Sequence, residues 1–174
     1  MKDYIETFTG LQANPVNLNS DDICIEDIAH SLSLICRYNG HCREFFSVAQ
    51  HCVMVADCTH SFGVGKVALL HDAGEAYLSD VPSPLKRLLT NYEKIEAGVL
   101  EVVYQKFLGR SPTQYEWDIV KDIDDSIWMT EVFNLFDDWR NWEFEESEHL
   151  FKIDIWDSAT AEKEFLAAAK RLDI

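Results

Sequence analysis

An all-α fold, a compact helical bundle, is predicted for this chain by two observations. Apolar residues recur mostly at three- and four-residue spacing, and only four prolines and seven glycines interrupt the 174 residues. With 47% hydrophobic and 26% charged residues, the chain is long enough to bury a real core and too short for two roomy ones. A single domain over residues 1–174 is therefore expected.

After a short polar N-terminal segment, Ile25, Ile28, Ala29, Leu32, Ile35 and Cys36 form a helical stripe that ends near Asn39-Gly40. Phe45, Val48, Cys52 and Val55 mark a second helix over about residues 43–60, broken by Gly63 and Gly65. The next carries Val67, Leu70, Ala73 and Gly74. Ser79-Asp80-Val81-Pro82-Ser83-Pro84 is a loop, because each proline lacks an amide donor and disfavours αR in the residue before it. A long stripe follows through Leu88, Leu89, Ile95, Val99, Val102, Val103 and Phe107, closed by Leu108-Gly109. Ser111-Pro112-Thr113-Gln114 reads as a capping box with proline at the first helical position. It opens a helix through Ile119, Val120, Ile123, Ile127 and Trp128. The last element is Ala161 to Leu172, and the acidic, aromatic residues 137–157 between them (Asp137, Trp139, Trp142, Glu143, Phe144, Glu145, Glu146) form a surface connection with anchoring rings.

The formal net charge is −16, so a polyanion such as DNA or RNA is repelled by most of the surface and polymeric nucleic acid is excluded as a ligand. A small anionic substrate requires a local cation, from basic side chains or a bound metal. The five cysteines, Cys24, Cys36, Cys42, Cys52 and Cys58, are odd in number and contain no C-x-x-C pair. Neither a disulfide framework nor a zinc knuckle is suggested, and a reducing compartment fits. The N-terminus lacks a basic region followed by an apolar run, and no stretch approaches a membrane span, so a cytoplasmic, unanchored protein is expected.

Candidate chemistry centres on His71-Asp72, followed by Glu75. At about 100° per residue, the step from 71 to 75 returns to within about 40° of one direction. His51 lies three residues after Val48 and four before Val55, on an apolar stripe where an imidazole is out of place. Asp124 lies between Val120 and Ile127 at helical spacing, with Glu131 seven residues on along the same face. Taken singly, each is better read as a hydrogen-bonded core histidine or a solvated carboxylate. Taken together they are a mixed nitrogen and oxygen set suited to a divalent transition metal, which would neutralise inward carboxylates that have few basic residues nearby.

With these residues in view, the chain resembles the HD-domain phosphohydrolases, whose signature is a lone His, a His-Asp pair and a distal Asp. The match runs over most of the chain: His51 in Ser47-Val48-Ala49-Gln50-His51, His71 and Asp72 in Leu69-Leu70-His71-Asp72-Ala73-Gly74-Glu75, and Asp124 in Val120-Lys121-Asp122-Ile123-Asp124. The stretch HDAGEAYLSDVPSPLK, from His71 to Lys86, and Ile35-Cys36-Arg37-Tyr38 look like the compact branch of 5′-deoxynucleotidases and phage deoxynucleoside triphosphate triphosphohydrolases. The resemblance implies that His51, His71, Asp72 and Asp124 bind the metal. Asp122 and Asp125 compete for the last position, and the spacing of Asp124 to Glu131 matches the family. It further implies that Glu75 acts on the attacking water and Asp80 assists in positioning or proton transfer. Arg37 and Lys86 would face phosphate, Tyr38 would stack on base or sugar, His41 would be a phosphate contact, and Pro84 would line the base pocket. Members of the branch are commonly homo-oligomers, and that is the implied assembly.

The chemistry stands beside the resemblance. A divalent ion (manganese, cobalt, nickel, iron, magnesium or zinc) lowers the pKa of its water and polarises a phosphoryl oxygen, and Glu75 is placed to orient or deprotonate that water. Arg37 offers a planar fork and Lys86 a point charge; equally, Arg37 could be a charge at a helix C-terminus, Lys86 a solvated lysine, Tyr38 a packing residue and Asp80 a turn residue. The expected activity is cleavage between the α-phosphorus and the 5′ oxygen of a deoxynucleotide, releasing deoxynucleoside. A dATP-type triphosphohydrolase is the first expectation and a 5′-deoxynucleotidase the alternative. A non-catalytic nucleotide-binding module is the reading from a different class.

Overall fold

The computed structural model describes residues 3–138 and 150–174. Helices dominate them, as the periodicity predicts: α1 (Ile25–Leu34), α2 (Val48–Cys58), α3 (Gly65–Leu70), α4 (Glu75–Leu78), α5 (Ser83–Lys86), α6 (Tyr92–Leu108), α7 (Gln114–Leu135) and α8 (Ser158–Arg171). Among the described residues no helix is long and apolar enough to cross a membrane.

The N-terminal segment is more ordered than its polar composition suggests. Strands β1 (Ile5–Glu6) and β2 (Gln12–Ala13) pair antiparallel, with Ile5 opposite Ala13 and Glu6 opposite Gln12. Asp27 of α1 fixes this hairpin from below, accepting hydrogen bonds from the Thr9 amide at 2.7 Å and the Thr9 hydroxyl at 2.9 Å. Two-residue strands have too few positions to show an alternating pattern, so nothing in the sequence distinguishes them from loop.

Helix α2 is central, packing against α1, α3, α7 and α8. It starts at Val48 and not near residue 43, because the preceding chain is extended. Cys36 and Ser47 form an antiparallel bridge, and the Ser47 hydroxyl caps the helix by accepting from the Gln50 amide at 3.1 Å. That extended entry inverts one expectation. Phe45, assigned to the apolar stripe, is exposed, and Phe46 is fully buried against Leu135 and Ile153. Within α2 the predicted stripe holds, with Val48, Cys52 and Val55 fully buried.

Other boundaries shift for local reasons. Helix α1 ends at Leu34, and Asn39-Gly40 belongs to a left-handed turn beyond it. Helix α6 begins at Tyr92, leaving Leu88 and Leu89 exposed, and ends as expected at Gly109 in the left-handed conformation. The cap of α7 is Thr113, whose capping-box partner is Glu116, so Pro112 precedes the cap and is not the first helical residue. Helix α8 starts three residues before Ala161, because Asp157 caps it through the Thr160 amide. Of the connection 137–157, Trp139, Trp142, Glu143, Phe144, Glu145 and Glu146 lie outside the described residues. Its end is anchored to α2: buried Gln50 donates to the Asp154 carbonyl at 2.8 Å and accepts from the Trp156 amide at 3.0 Å.

Candidate metal centre

Three segments converge on one point. His51 sits in the first turn of α2, His71 and Asp72 follow α3 directly, and Asp124 lies near the middle of α7. One ligand atom from each of His51, His71 and Asp72 lies within 4.8 Å of the others. His51 Nε2 is 3.2 Å from His71 Nε2, 3.6 Å from Asp72 Oδ2 and 3.1 Å from Asp124 Oδ1. His71 Nε2 is 3.2 Å from Asp72 Oδ2 and 4.0 Å from Asp124 Oδ1. Neighbouring donors around one ion at bonds of about 2.0–2.2 Å stand roughly 3.0–3.5 Å apart, so the set has the right span.

The outer nitrogens explain why the inner ones converge. His71 Nδ1 is 2.7 Å from the Ala68 carbonyl, which only accepts, so that nitrogen carries the proton. His51 Nδ1 donates to Glu131 Oε1 at 2.6 Å. Each imidazole therefore turns an unprotonated Nε2 inward when neutral. Two lone pairs and two carboxylates then face one another with no donor among them. A cation satisfies all four at once. Without one, protons do so instead: both imidazoles are pushed above the ordinary histidine range, burial being overcome by Asp72 for His71 and by Glu131 and Asp124 for His51. Asp72, only partly exposed, is held well below the carboxylate range by His71, His51 and Arg37, which outweigh desolvation.

The sequence places His71, Asp72 and Glu75 on one helical sector, and the backbone there is not one continuous α-helix. From Leu70 onward the chain tightens: the amides of Ala73, Glu75 and Ala76 each bond the carbonyl three residues back. A run at about three residues per turn would separate residues 71 and 75 by about 120° in place of about 40°. Glu75 opens α4 directly after this run. It is buried, and its Oε2 has no hydrogen-bond partner. Burial, reinforced by Asp72 and Asp80, raises its carboxyl well above the carboxylate range. Asp80, half-buried in the α4–α5 loop, is also raised by burial and by Asp72, against Arg37 and Lys86.

Arg37 and Tyr38 enter through an unusual turn. Tyr38 (φ 58°) and Asn39 (φ 51°) are left-handed, at a cost of about 1–3 kcal/mol for such a residue, less for asparagine. What holds them is Glu131, which is fully buried. Its Oε2 accepts from Arg37 Nε at 3.1 Å and from the Tyr38 hydroxyl at 2.6 Å, while Oε1 takes His51 Nδ1. Burial works against the Glu131 charge, but Arg37 and His51 lower its carboxyl below the ordinary range. The second end of the Arg37 fork reaches Asp72 Oδ2 at 3.5 Å. Arg37 is thus no helix-end charge; it joins Glu131 to Asp72.

The remaining expected residues are less engaged. Lys86 Nζ is bound to Glu96 Oε1 at 2.7 Å and lies 5.5 Å from the Tyr92 ring centroid. His41 and Pro84 are exposed, and Asp122 is exposed as well. Asp125 pairs with Lys121 at 2.9 Å, which leaves Asp124 as the aspartate of that run on His51. Two residues that bind the expected site residues were given no role from the sequence. Glu131 was placed on the right face by its seven-residue step from Asp124, but its role depends on Arg37 and His51, which are distant in sequence. Glu96 carries no local signal.

No family model matches the chain. It is similar to the uncharacterized protein YfdR of Escherichia coli (strain K12), 45% identical over 104 residues, covering 60% of this chain and 58% of YfdR. It is also similar to the uncharacterized protein RCAP_rcc00048 of Rhodobacter capsulatus, 35% identical over 95 residues, covering 49% of this chain and 48% of that protein. The chain thus spans about half to three fifths of the length of these curated relatives.

Proposed function

We propose that this chain is a metal-dependent phosphohydrolase of the HD type, cleaving deoxynucleotides at the bond between the α-phosphorus and the 5′ oxygen to release deoxynucleoside. The observation that carries the reading is the convergence of two Nε2 atoms, each on a ring whose Nδ1 faces an acceptor, with two carboxylates, beside a buried carboxyl with one unpartnered oxygen. His51, His71, Asp72 and Asp124 would hold the ion. A divalent ion supplies Lewis acidity to a phosphoryl oxygen and acidifies water. Glu75 would orient the attacking water and, once ionised beside the bound cation, accept its proton, with Asp80 assisting in positioning. Glu131 keeps His51 in the tautomer that ligation needs.

The charge inventory favours one phosphate over three. Arg37 is already shared between Glu131 and Asp72, and Lys86 is bound to Glu96, so the basic groups expected to meet phosphate carry little uncommitted charge. A monophosphate asks less of such a site than a triphosphate, which moves the 5′-deoxynucleotidase reading ahead of the dATP-type triphosphohydrolase. The test is a product assay on each dNMP and dNTP with protein stripped of metal and resupplied with manganese or cobalt. Deoxynucleoside plus inorganic phosphate from dNMP is the expected result. Intact triphosphate released from dNTP restores the longer substrate, and no deoxynucleoside from either class ends the reading in favour of a binding module.

A further inference from the structure

Cys36 and Cys42 open and close the turn that carries Arg37 and Tyr38, and their sulfurs stand 3.7 Å apart. The chain reverses through Tyr38, Asn39 and Gly40, all with positive φ. The same reversal aims the Tyr38 hydroxyl at Glu131 and returns Cys42 to the side of Cys36. Both ends are tied down: Cys36 bridges to Ser47, and the Arg43 amide donates to the Leu135 carbonyl at 3.1 Å. The sulfur contact is thus built into the fold and not a chance meeting of exposed side chains. The Cys42 thiol also lies 3.8 Å from the Arg37 carbonyl, so it touches the backbone of the residue that grips Glu131. Both cysteines are half-buried, while Cys52 is closed in the core and Cys24 caps α1.

We propose that Cys36 and Cys42 are a reversible dithiol–disulfide pair, whose oxidation locks the turn 37–41 onto Glu131 and through it steadies His51. An S–S bond of about 2.0 Å requires the sulfurs to close by about 1.7 Å, within reach of side-chain rotation and a small backbone shift. The oxidant is a peroxide. One sulfur, as thiolate, attacks the O–O bond and becomes a sulfenic acid as the first water leaves; the other thiol then displaces its hydroxyl as a second water, forming the S–S bond. Two thiols are oxidised and one peroxide is reduced, and a small dithiol reverses the step by exchange. Burial, together with Cys36, pushes the Cys42 thiol up to about 11, so the reaction is slow at neutral pH. The pair responds to sustained exposure and not to a brief pulse.

The experiment treats the full metal-free chain with hydrogen peroxide at mildly alkaline pH, blocks residual thiols, and reads intact mass, a tryptic map and a manganese titration. Trypsin cuts after Arg37, so the two cysteines fall in separate peptides unless a disulfide joins them. The expected result is loss of two hydrogens and two free thiols, a linked 36–42 peptide pair, and reversal by dithiothreitol. Cys36→Ser and Cys42→Ser, which keep size and shape, lose that response. Oxidised protein binds manganese about threefold or more tighter, because the turn is already organised. A bond to another cysteine, sulfinic or sulfonic acid in place of the link, or no thiol loss overturns the pair. Unchanged or weaker manganese affinity overturns the lock. None of these readouts requires turnover, so the proposal stands or falls apart from the phosphohydrolase reading.

Discussion

Two buried glutamates flank the candidate metal centre, and they are in opposite states. Glu131 is fully enclosed, yet remains charged because Arg37, Tyr38 and His51 supply donors to both its oxygens. Glu75 is almost as enclosed, but one oxygen has no donor and its nearest charged neighbours include Asp72 and Asp80. Burial alone therefore decides nothing about a carboxyl; the groups around it do. The satisfied glutamate is part of the frame. The unsatisfied one holds free hydrogen-bonding capacity beside the cluster, as a proton-transferring group must.

The comparison breaks first at Glu131. Glu131→Ala leaves Arg37 without its closer partner and His51 Nδ1 without an acceptor, so stability should fall by about 3–5 kcal/mol, the usual cost of breaking a buried pair from one side. Manganese affinity should drop by about 10- to 100-fold, the range for losing a residue that orients a ligand. Chemical denaturation and metal titration check both, and a variant of wild-type stability and affinity would show that Glu131 is no frame.

Glu75 should behave in the reverse way. Glu75→Gln keeps the shape and removes the base, so turnover on the accepted deoxynucleotide should fall by about 10²- to 10⁴-fold. Manganese and nucleotide binding should stay within about threefold, and stability should hold or rise, since an amide is cheaper to bury than a carboxyl lacking a donor. Equal loss of metal affinity and turnover would move Glu75 into the frame with Glu131.

Much of this was written in the chain, and the remainder was not for identifiable reasons. His51 and Asp124 stood out because helical periodicity makes a polar residue on an apolar stripe conspicuous, and His71-Asp72 joined them through the resemblance to the HD-type signature. Glu75 was legible as a candidate, while the tightening of the chain after Leu70 was not, because no residue type between Asp72 and Glu75 announces it. Arg37 and Tyr38 were read as phosphate and base contacts, yet the structure turns both toward Glu131, 94 and 93 residues away. Pairing over such a span depends on how α7 packs against the turn that follows α1, which no local pattern encodes. The fold class survived because it depends on local periodicity, while boundaries moved wherever a cap or an extended entry overrode it, as at Ser47 and Thr113.

The pH dependence sharpens the contrast between protons and metal. His51, His71 and Glu75 all have folded pKa values raised above their unfolded ones, so the metal-free fold holds more protons than the unfolded chain. The histidine contribution is fully present below the unfolded value of about 6.5 and is lost as pH rises through the folded values; that of Glu75 has the same sign. Metal-free Tm should therefore decline from pH 6 towards pH 8. Manganese competes with those protons, so its stabilisation should grow over the same interval. Parallel melting curves with and without manganese check this, and a manganese shift that shrinks with pH would count against imidazole ligation.

The smallest change probes one contact. Tyr38→Phe removes the hydroxyl that donates to Glu131 Oε2 at 2.6 Å and leaves Arg37 as that oxygen's other donor. A hydrogen bond to a charged group is worth about 1.5–3 kcal/mol, and the loss should fall toward the lower figure because Arg37 still satisfies the oxygen. The ring itself packs edge-on against Phe136, with centroids 5.2 Å apart, and phenylalanine preserves that contact. If Tyr38 serves the frame, stability and manganese affinity should decline together by a modest factor while KM for the deoxynucleotide stays put. A rise in KM with metal affinity unchanged would instead return Tyr38 to the role of a platform for base or sugar.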